Sequence, residues 1–168
     1  MFVLPENLPI ELTPLAFVVG VWEGTGVISY KHRRDENDQP INYDFSQRVT
    51  FFHNGENYLT YQSTVKMLDD AGTILPSELG YWKLARPAEE ADHGPGLLPG
   101  VGQNTIQTPD DLEKYRNKDG GFDIEASIIH PSGISEHYIG WVKQGKMQLA
   151  TALGSSRPEN SKDYAGAT

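Results

Sequence analysis

Cysteine is absent from the 168 residues of the sequence. Disulfide bonds, thiolate metal sites and a cysteine nucleophile are therefore excluded. Long apolar runs are also missing: none approaches the roughly 20 residues that a membrane-spanning helix needs. The N-terminus has no basic segment of the kind that begins a secretory signal. These absences predict a cytoplasmic protein that does not bind membranes and relies on its own core for stability.

Basic residues are scarce. The chain has 14 Lys and Arg against 23 Asp and Glu, which gives a formal net charge of -9. A surface of that sign repels phosphate backbones, so nucleic acid is not expected as a partner. The length fits one domain spanning residues 1–168, with enough chain to bury a sizeable core.

Alternation of apolar and polar residues is the main pattern present, and it is typical of half-buried strands. It runs from Tyr43 to Phe52 and from Tyr58 to Leu68, with Asn54-Gly55 as a hairpin turn between them. Further segments with strand character lie at 22–30, 78–84, 122–128, 136–141 and 147–151. About seven strands without a long amphipathic helix predict an all-β fold, an antiparallel meander closing into a barrel or sandwich.

The stretch Gly20-x-Trp22-x-Gly24-x-Gly26 begins the first predicted strand. Glycines at alternate positions suit a strand that bends sharply at a barrel corner, where the backbone comes close to its neighbours and Trp22 plugs one end. We expect a side chain at Gly24 to crowd this bend and to lower stability.

Residues 87–121 interrupt the strand pattern with proline, glycine and acidic residues. So long an interruption is either a mobile insertion or a functional lid, and it contains one short helix-like patch at Pro109 to Tyr115. Near the end of the chain, Ser161 to Ala165 could begin a strand or a helical turn.

Several motifs, in order along nearly the whole chain, resemble the nitrobindin family of small haem-binding β-barrels once grouped with fatty-acid-binding proteins. The matching motifs are Gly20-x-Trp22-x-Gly24-x-Gly26, Phe51-Phe52-His53-Asn54-Gly55, Ser77-Glu78-Leu79-Gly80-Tyr81-Trp82-Lys83, His130-Pro131-Ser132-Gly133, Glu136-x-Tyr138-x-Gly140 and the region around Lys162-Asp163-Tyr164.

The resemblance implies a ten-stranded, nitrobindin- or lipocalin-like barrel with a ferric haem at one end, held by a histidine on the last strand. In that family the chain continues beyond the stretch that resembles Ser161 to Thr168. We therefore expect a barrel that is incomplete at the C-terminus and lacks the haem-ligating histidine. From this follow the expectations of no haem b or other cofactor, no metal, no catalytic residue and no haem-dependent peroxynitrite isomerisation.

The remaining functional hypotheses follow from the predicted barrel. Its aromatic residues either line a cavity for a hydrophobic small molecule or fill the core. The candidate cavity-lining residues are Phe45, Phe51, Tyr61 and Trp82. Among the five histidines, His137 lies within a predicted strand and is the best placed substitute iron ligand, which leaves a haem-binding isomerase as an alternative. Unpaired strand edges favour a homodimer or another interaction module.

Overall fold

The computed structural model describes residues 5–152. The chain begins with a 3-10 helix at Ile10–Val18, and a short helix α1 at Pro109–Glu113 lies between the fourth and fifth strands. The strands are β1 (Gly20–Arg34), β2 (Pro40–Phe52), β3 (Leu59–Met67), β4 (Ile74–Leu84), β5 (Phe122–Ile129), β6 (Ser135–Lys143) and β7 (Lys146–Thr151). The predicted segment Ser161 to Ala165 lies outside the described residues.

The seven strands form a single antiparallel sheet in which each strand pairs with its neighbour in the sequence. The sheet curls into a half-barrel, and the expectation of an all-β antiparallel meander is confirmed. Successive side chains of a strand point to opposite faces, and β5 shows this cleanly, with Phe122, Ile124, Ala126 and Ile128 buried and the residues between them more exposed.

The core lies on the concave face at one end of the half-barrel. The 3-10 helix covers this end, which we call the plugged end, and Leu12 and Leu15 are almost fully buried there. Pro9 precedes the helix and Val19 ends it in an extended conformation, so the chain passes directly into β1. The opposite end, which we call the far end, carries the turns that follow β1, β3 and β5.

Two glycines of the concave face allow neighbouring strands to approach closely. A Cβ atom on Gly140 would lie 1.9 Å from the backbone oxygen of Gln148, and one on Gly80 would lie 2.3 Å from that of Ser127. The expectation for Gly24 is wrong, because a Cβ atom there would meet nothing within 4 Å. At Gly26 a Cβ atom would lie 2.7 Å from the Phe45 ring, so the crowding is at Gly26.

The segment 87–121 is attached to the half-barrel at several points. Ile106 and Leu112 are buried in the core. Thr108 and Asp111 form a capping box that begins α1, which explains why the helix-like patch of the sequence folds as one. No helix among residues 5–152 is long and apolar enough to cross a membrane.

Candidate functional site

The aromatic candidates lie on the concave face at two depths. Phe51, Tyr61 and Trp82 pack together near the plugged end, with ring centroids 5.1 to 5.8 Å apart, and each is buried. Phe45 lies nearer the far end, is half-buried and covers Gly26. The first three therefore belong to the core, and Phe45 is the candidate with access to a ligand.

Polar side chains linked by hydrogen bonds or close charged contacts cross the concave face beside this aromatic cluster. We call them the polar belt; they come from β2, β3, β4, β6 and the turn after β5, and they are Gln47, Ser63, Tyr61, Glu78, His130, Glu136 and Tyr138. Polar side chains are unusual on a face that is otherwise apolar and partly buried. The polar belt is therefore a candidate functional site.

One half of the belt lies on β2, β3 and β4. Gln47 Nε2 donates to Ser63 Oγ at 2.9 Å, and Ser63 is fully buried. Tyr61 donates its hydroxyl to Glu78 Oε2 at 2.8 Å. The register places Ser63 opposite Glu78 across the β3–β4 pair, which brings both residues to the same face.

The other half lies on β6 and is joined to the first by His130. Tyr138 donates its hydroxyl to Glu136 Oε2 at 2.8 Å, and the same oxygen lies 2.9 Å from His130 Nε2. The second ring nitrogen of His130, Nδ1, lies 3.8 Å from Glu78 Oε1. His130 thus stands between two carboxylates, each of which accepts a tyrosine hydroxyl.

Burial and the neighbouring carboxylates favour the protonated form of Tyr61 and Tyr138. Desolvation raises the pKa of Tyr61, and the hydrogen bond to Glu78 raises it further. Desolvation and the bond to Glu136 have the same effect on the pKa of Tyr138. Both phenols therefore keep their protons at neutral pH and act as hydrogen-bond donors on the concave face.

His137 lies on the opposite, outer face of the sheet. Its Nδ1 lies 3.2 Å from Ser127 Oγ, and its Nε2 lies 3.6 Å from Glu125 Oε2. Because neighbouring strand residues alternate between faces, Glu136 and Tyr138 point into the concavity while His137 points away from it. As a substitute ligand for a group in the concavity, His137 is on the wrong side of the sheet.

The other described histidine side chains have separate surroundings. His93 lies 3.5 Å from Glu56, and His53 keeps a buried Nδ1 with no hydrogen-bond partner. Among the residues whose side chains are described, no group of three or more His, Asp or Glu could hold a metal ion.

The opening motif acts mainly on structure. Trp22 Nε1 donates to the backbone oxygen of Val18 at 2.8 Å and ties β1 to the end of the 3-10 helix. Gly20 has a φ of 133°, in the region that favours glycine, at the point where the helix passes into the strand. Trp22 itself is 54% exposed, so it caps the edge of the core rather than filling it.

Comparison with known proteins assigns the half-barrel to a family. Residues 11–168 match the family described as the THAP4-like, heme-binding beta-barrel domain. The chain belongs to this family. The resemblance to nitrobindins is thereby confirmed, and the match runs to the last residue given.

Similar proteins carry the name of one activity. The chain is 46% identical over 168 residues to a protein of Leifsonia xyli named peroxynitrite isomerase, and 42% identical over 169 residues to one of Clavibacter michiganensis with the same name. In both cases the alignment covers all of this chain and 82% of the relative. A crystal structure of Rv2717c from M. tuberculosis superposes with a TM-score of 0.53 over 87% of this chain and 72% of that one; its 22% identity supports the fold alone.

These matches correct one expectation from the sequence. The absence of a cofactor, haem b included, was expected because no C-terminal histidine strand was recognised, but the family to which the chain belongs is a haem-binding family. The hypothesis of a barrel for a ligand other than haem finds no support in the similar proteins, and the haem-binding alternative agrees with them better.

The far half of the concave face is apolar on β2 and β3. Phe45, Val65 and Met67 are half-buried and form an apolar wall there, since Phe45 pairs with Met67 and Gln47 with Val65 in register. The open space above Gly24 adds room at the same wall. Among the histidines whose side chains are described, His130 is the one placed at the belt, and its Nε2 lies 2.9 Å from Glu136 Oε2.

Four belt residues lie within the family motifs of the sequence, and the sequence alone assigns none of them a role. The structure brings these four together; they are Glu78, His130, Glu136 and Tyr138. A usable signal was present in β6: Glu136 and Tyr138 occupy positions of the same parity as Gly140 and Val142, which face the core. Polar residues in that series indicate a polar feature on the concave side.

Proposed function

We propose that the protein binds haem against the apolar wall of its concave face and, with haem bound, isomerises peroxynitrite to nitrate. The match of residues 11–168 to a haem-binding domain family carries this proposal. Two relatives over 40% identical along the whole chain, both named peroxynitrite isomerase, support the reaction.

The residues of this chain supply shape and polarity to that site. Phe45, Val65 and Met67 offer an apolar surface to the macrocycle, whose burial contributes about 25 cal/mol per Å² of apolar area. Tyr61 and Tyr138 remain protonated donors beside this surface, held in place by Glu78 and Glu136. Bound haem supplies the iron at which the peroxynitrite reacts, and the protein controls its orientation and access.

Haem binding is tested by titrating the purified protein with ferric haem and following the Soret band. We expect a saturable band that Val65→Asp weakens, because a carboxylate would be placed on the apolar wall. Thr64→Asp is the matched control, since Thr64 is exposed on the outer face of the same strand. His137→Ala should leave the titration unchanged. Absence of a saturable band would refute the haem proposal.

The reaction is tested separately by measuring the decay of peroxynitrite and the yield of nitrate. Protein with haem should accelerate the decay beyond an equal concentration of free haem. A saturable Soret band without such acceleration would leave haem binding standing and reject the isomerase.

Two smaller parts of the proposal concern assembly and location. Among residues 5–152, β1 pairs only with β2 and β7 only with β6, so each of these two strands has one edge without a described partner strand. Such edges can pair with a second copy of the chain, and a homodimer formed in this way stays a prediction. Light scattering on a size-exclusion column measures it directly, and a monomer mass would reject it. A cytoplasmic location also stays a prediction, which cell fractionation tests.

A further inference from the structure

Peroxynitrite exposes a protein to a neutral oxidant, the nitrogen dioxide radical released when its O–O bond breaks. Thiolates are the side chains that such oxidants attack most readily, and this chain has no cysteine. Methionine thioethers and aromatic side chains are then the oxidisable groups, and of these only the aromatic rings can be nitrated. Tyr138 differs from Tyr81 and Tyr61 in ways that matter for this chemistry.

Tyr138 combines access with a proton acceptor. It is half-buried on the concave face, and its hydroxyl donates to Glu136 Oε2 at 2.8 Å. The same carboxylate oxygen contacts His130 Nε2 at 2.9 Å, so Glu136 is held at the tyrosine by a second partner. A phenol that loses an electron also releases its proton, and a carboxylate within hydrogen-bond distance is placed to take that proton in the same step.

Tyr81 is the natural comparison on the same sheet. It lies on the outer face, is 57% exposed and packs edge-to-face against Tyr58 at 5.2 Å. No hydrogen bond among the described residues joins its hydroxyl to a carboxylate. Tyr61 has a carboxylate partner in Glu78 but is only 7% exposed, which limits the approach of a reagent to its ring. Exposure alone would therefore make Tyr81 the more readily oxidised tyrosine. The presence of a proton acceptor instead favours oxidation of Tyr138.

We propose that Tyr138 is a nitration site of this protein, with Glu136 as the proton acceptor. One nitrogen dioxide radical takes an electron from the phenol and becomes nitrite, while the phenolic proton passes to Glu136. A second nitrogen dioxide radical then forms a C–N bond at the ring carbon next to the phenolic oxygen. The hydrogen on that carbon is released as a proton and the phenol is restored by a proton from Glu136, so the products are nitrotyrosine, nitrite and one proton. The oxidant follows from the proposed function.

Nitration would change the polar belt. A nitro group beside the hydroxyl makes the phenol more acidic, which opposes the raising of the Tyr138 pKa by burial and by Glu136. On raising the pH, the nitrated ring would therefore lose its proton before the unmodified one, and a phenolate facing Glu136 is a like-charge pair that disfavours the present contact. The modified ring would also mark a molecule that has met excess peroxynitrite.

The test treats haem-free protein with peroxynitrite and measures nitrotyrosine at each site by peptide mass spectrometry. We expect more nitration at Tyr138 than at Tyr81 despite the greater exposure of Tyr81. Glu136→Gln should lower nitration at Tyr138 by about tenfold, because a positioned proton acceptor contributes a factor of ~10² or more in enzymes and a glutamine amide cannot take the proton. Nitration at Tyr81 should not change.

The control is Glu125→Gln, which alters a carboxylate on the outer face beside His137 and should leave both sites unchanged. More nitration at Tyr81 than at Tyr138 in the unmodified protein would overturn the proposal, and this comparison needs no variant. Equal nitration of Tyr138 with and without Glu136 would overturn it as well. The measurement uses no haem, so a failed Soret titration and a failed nitration pattern are distinguishable results.

Discussion

Arg86 binds Glu11 through two hydrogen bonds although the residues are 75 positions apart. Arg86 Nε donates to Glu11 Oε1 at 2.7 Å, and Arg86 Nη2 donates to Glu11 Oε2 at 3.2 Å. The same guanidinium donates to both oxygens of Asp92, at 2.9 and 2.7 Å, and Asp92 also accepts from Asn57. The side chains of Arg86 and Glu11 are 4% and 3% exposed, so one buried cation joins the 3-10 helix, the end of β4 and the segment 87–121.

Replacing Arg86 should destabilise the fold strongly. Arg86→Met leaves Glu11 buried without its cation, and breaking a buried pair in this way costs about 3–5 kcal/mol. Urea denaturation measures the change in the free energy of unfolding. Arg48→Met is the control, because Arg48 and Glu23 form an exposed pair on β1 and β2 that is worth about 1 kcal/mol or less. Similar losses for the two variants would contradict the role given to Arg86.

Acid should weaken the protein partly through Asp92. The hydrogen bonds from Arg86 hold the pKa of Asp92 well below its usual range. As the pH falls below the ordinary aspartate value of 3.8, the unfolded chain takes up this proton before the folded one, so stability is lost on the acid side. Glu11 opposes this effect, because burial raises its pKa and the folded state binds its proton more tightly.

The unfolding midpoint measured from neutral pH to about pH 3 tests the contribution of Asp92. Asp92→Asn should be less stable at neutral pH and should lose less stability on acidification. Asp110→Asn, at an exposed position of α1, should follow the unmodified protein. Parallel curves for Asp92→Asn and the unmodified protein would reject the assignment.

Alanine at two glycines should have opposite consequences. Gly140→Ala forces a Cβ atom against the backbone of β7 and should cost about 1–3 kcal/mol, the usual range for overpacking. Gly24→Ala enters open space and should be neutral or stabilising by up to about 1 kcal/mol, because it restricts the unfolded chain. Thermal unfolding of both variants measures this. An unchanged stability of Gly140→Ala would contradict the close approach of β6 and β7, and a loss of stability in Gly24→Ala would contradict the open space at Gly24.

Two phenols should resist ionisation in an alkaline titration. The pKa values of Tyr61 and Tyr138 are raised by burial and by their carboxylate partners, so both should stay protonated at a pH of about 10, where an ordinary phenol ionises. Phenolate absorbance measures this as long as circular dichroism shows a folded protein. Tyr61→Phe and Tyr138→Phe should therefore leave the phenolate absorbance near a pH of about 10 unchanged, and a loss of absorbance in either variant would contradict the raised pKa values.

The strands and their order were predictable from the sequence because strand alternation is local. The hairpin at Asn54-Gly55 and the alternation of Tyr43 to Phe52 needed only neighbouring residues. The pattern predicts a fourth strand from Glu78, but β4 begins at Ile74. The β3–β4 register shifts between Ser63 and Val65, so the residues of β4 before Glu78 do not continue the alternation of those after it.

The polar belt could not be derived from local patterns. His130 meets Glu78 because β4 pairs with β5 and the register sets Leu79 opposite Ile129, which puts the adjacent residues Glu78 and His130 side by side. The direction of His137 depended on the parity of β6, which the sequence left open and the register with Ser127 fixes. The burial of Arg86 likewise depends on Glu11 and Asp92 arriving from two distant segments.

The meander also implies an order of assembly. Among residues 5–152, each strand pairs only with its neighbours in the chain, so β1, β2 and β3 can form as hairpins before later residues are available. The apolar wall that we propose for haem lies within these three strands, whereas the contact of Arg86 with Glu11 and Asp92 requires the chain as far as residue 92. We expect this wall to form before the contact of Arg86 fixes the plugged end.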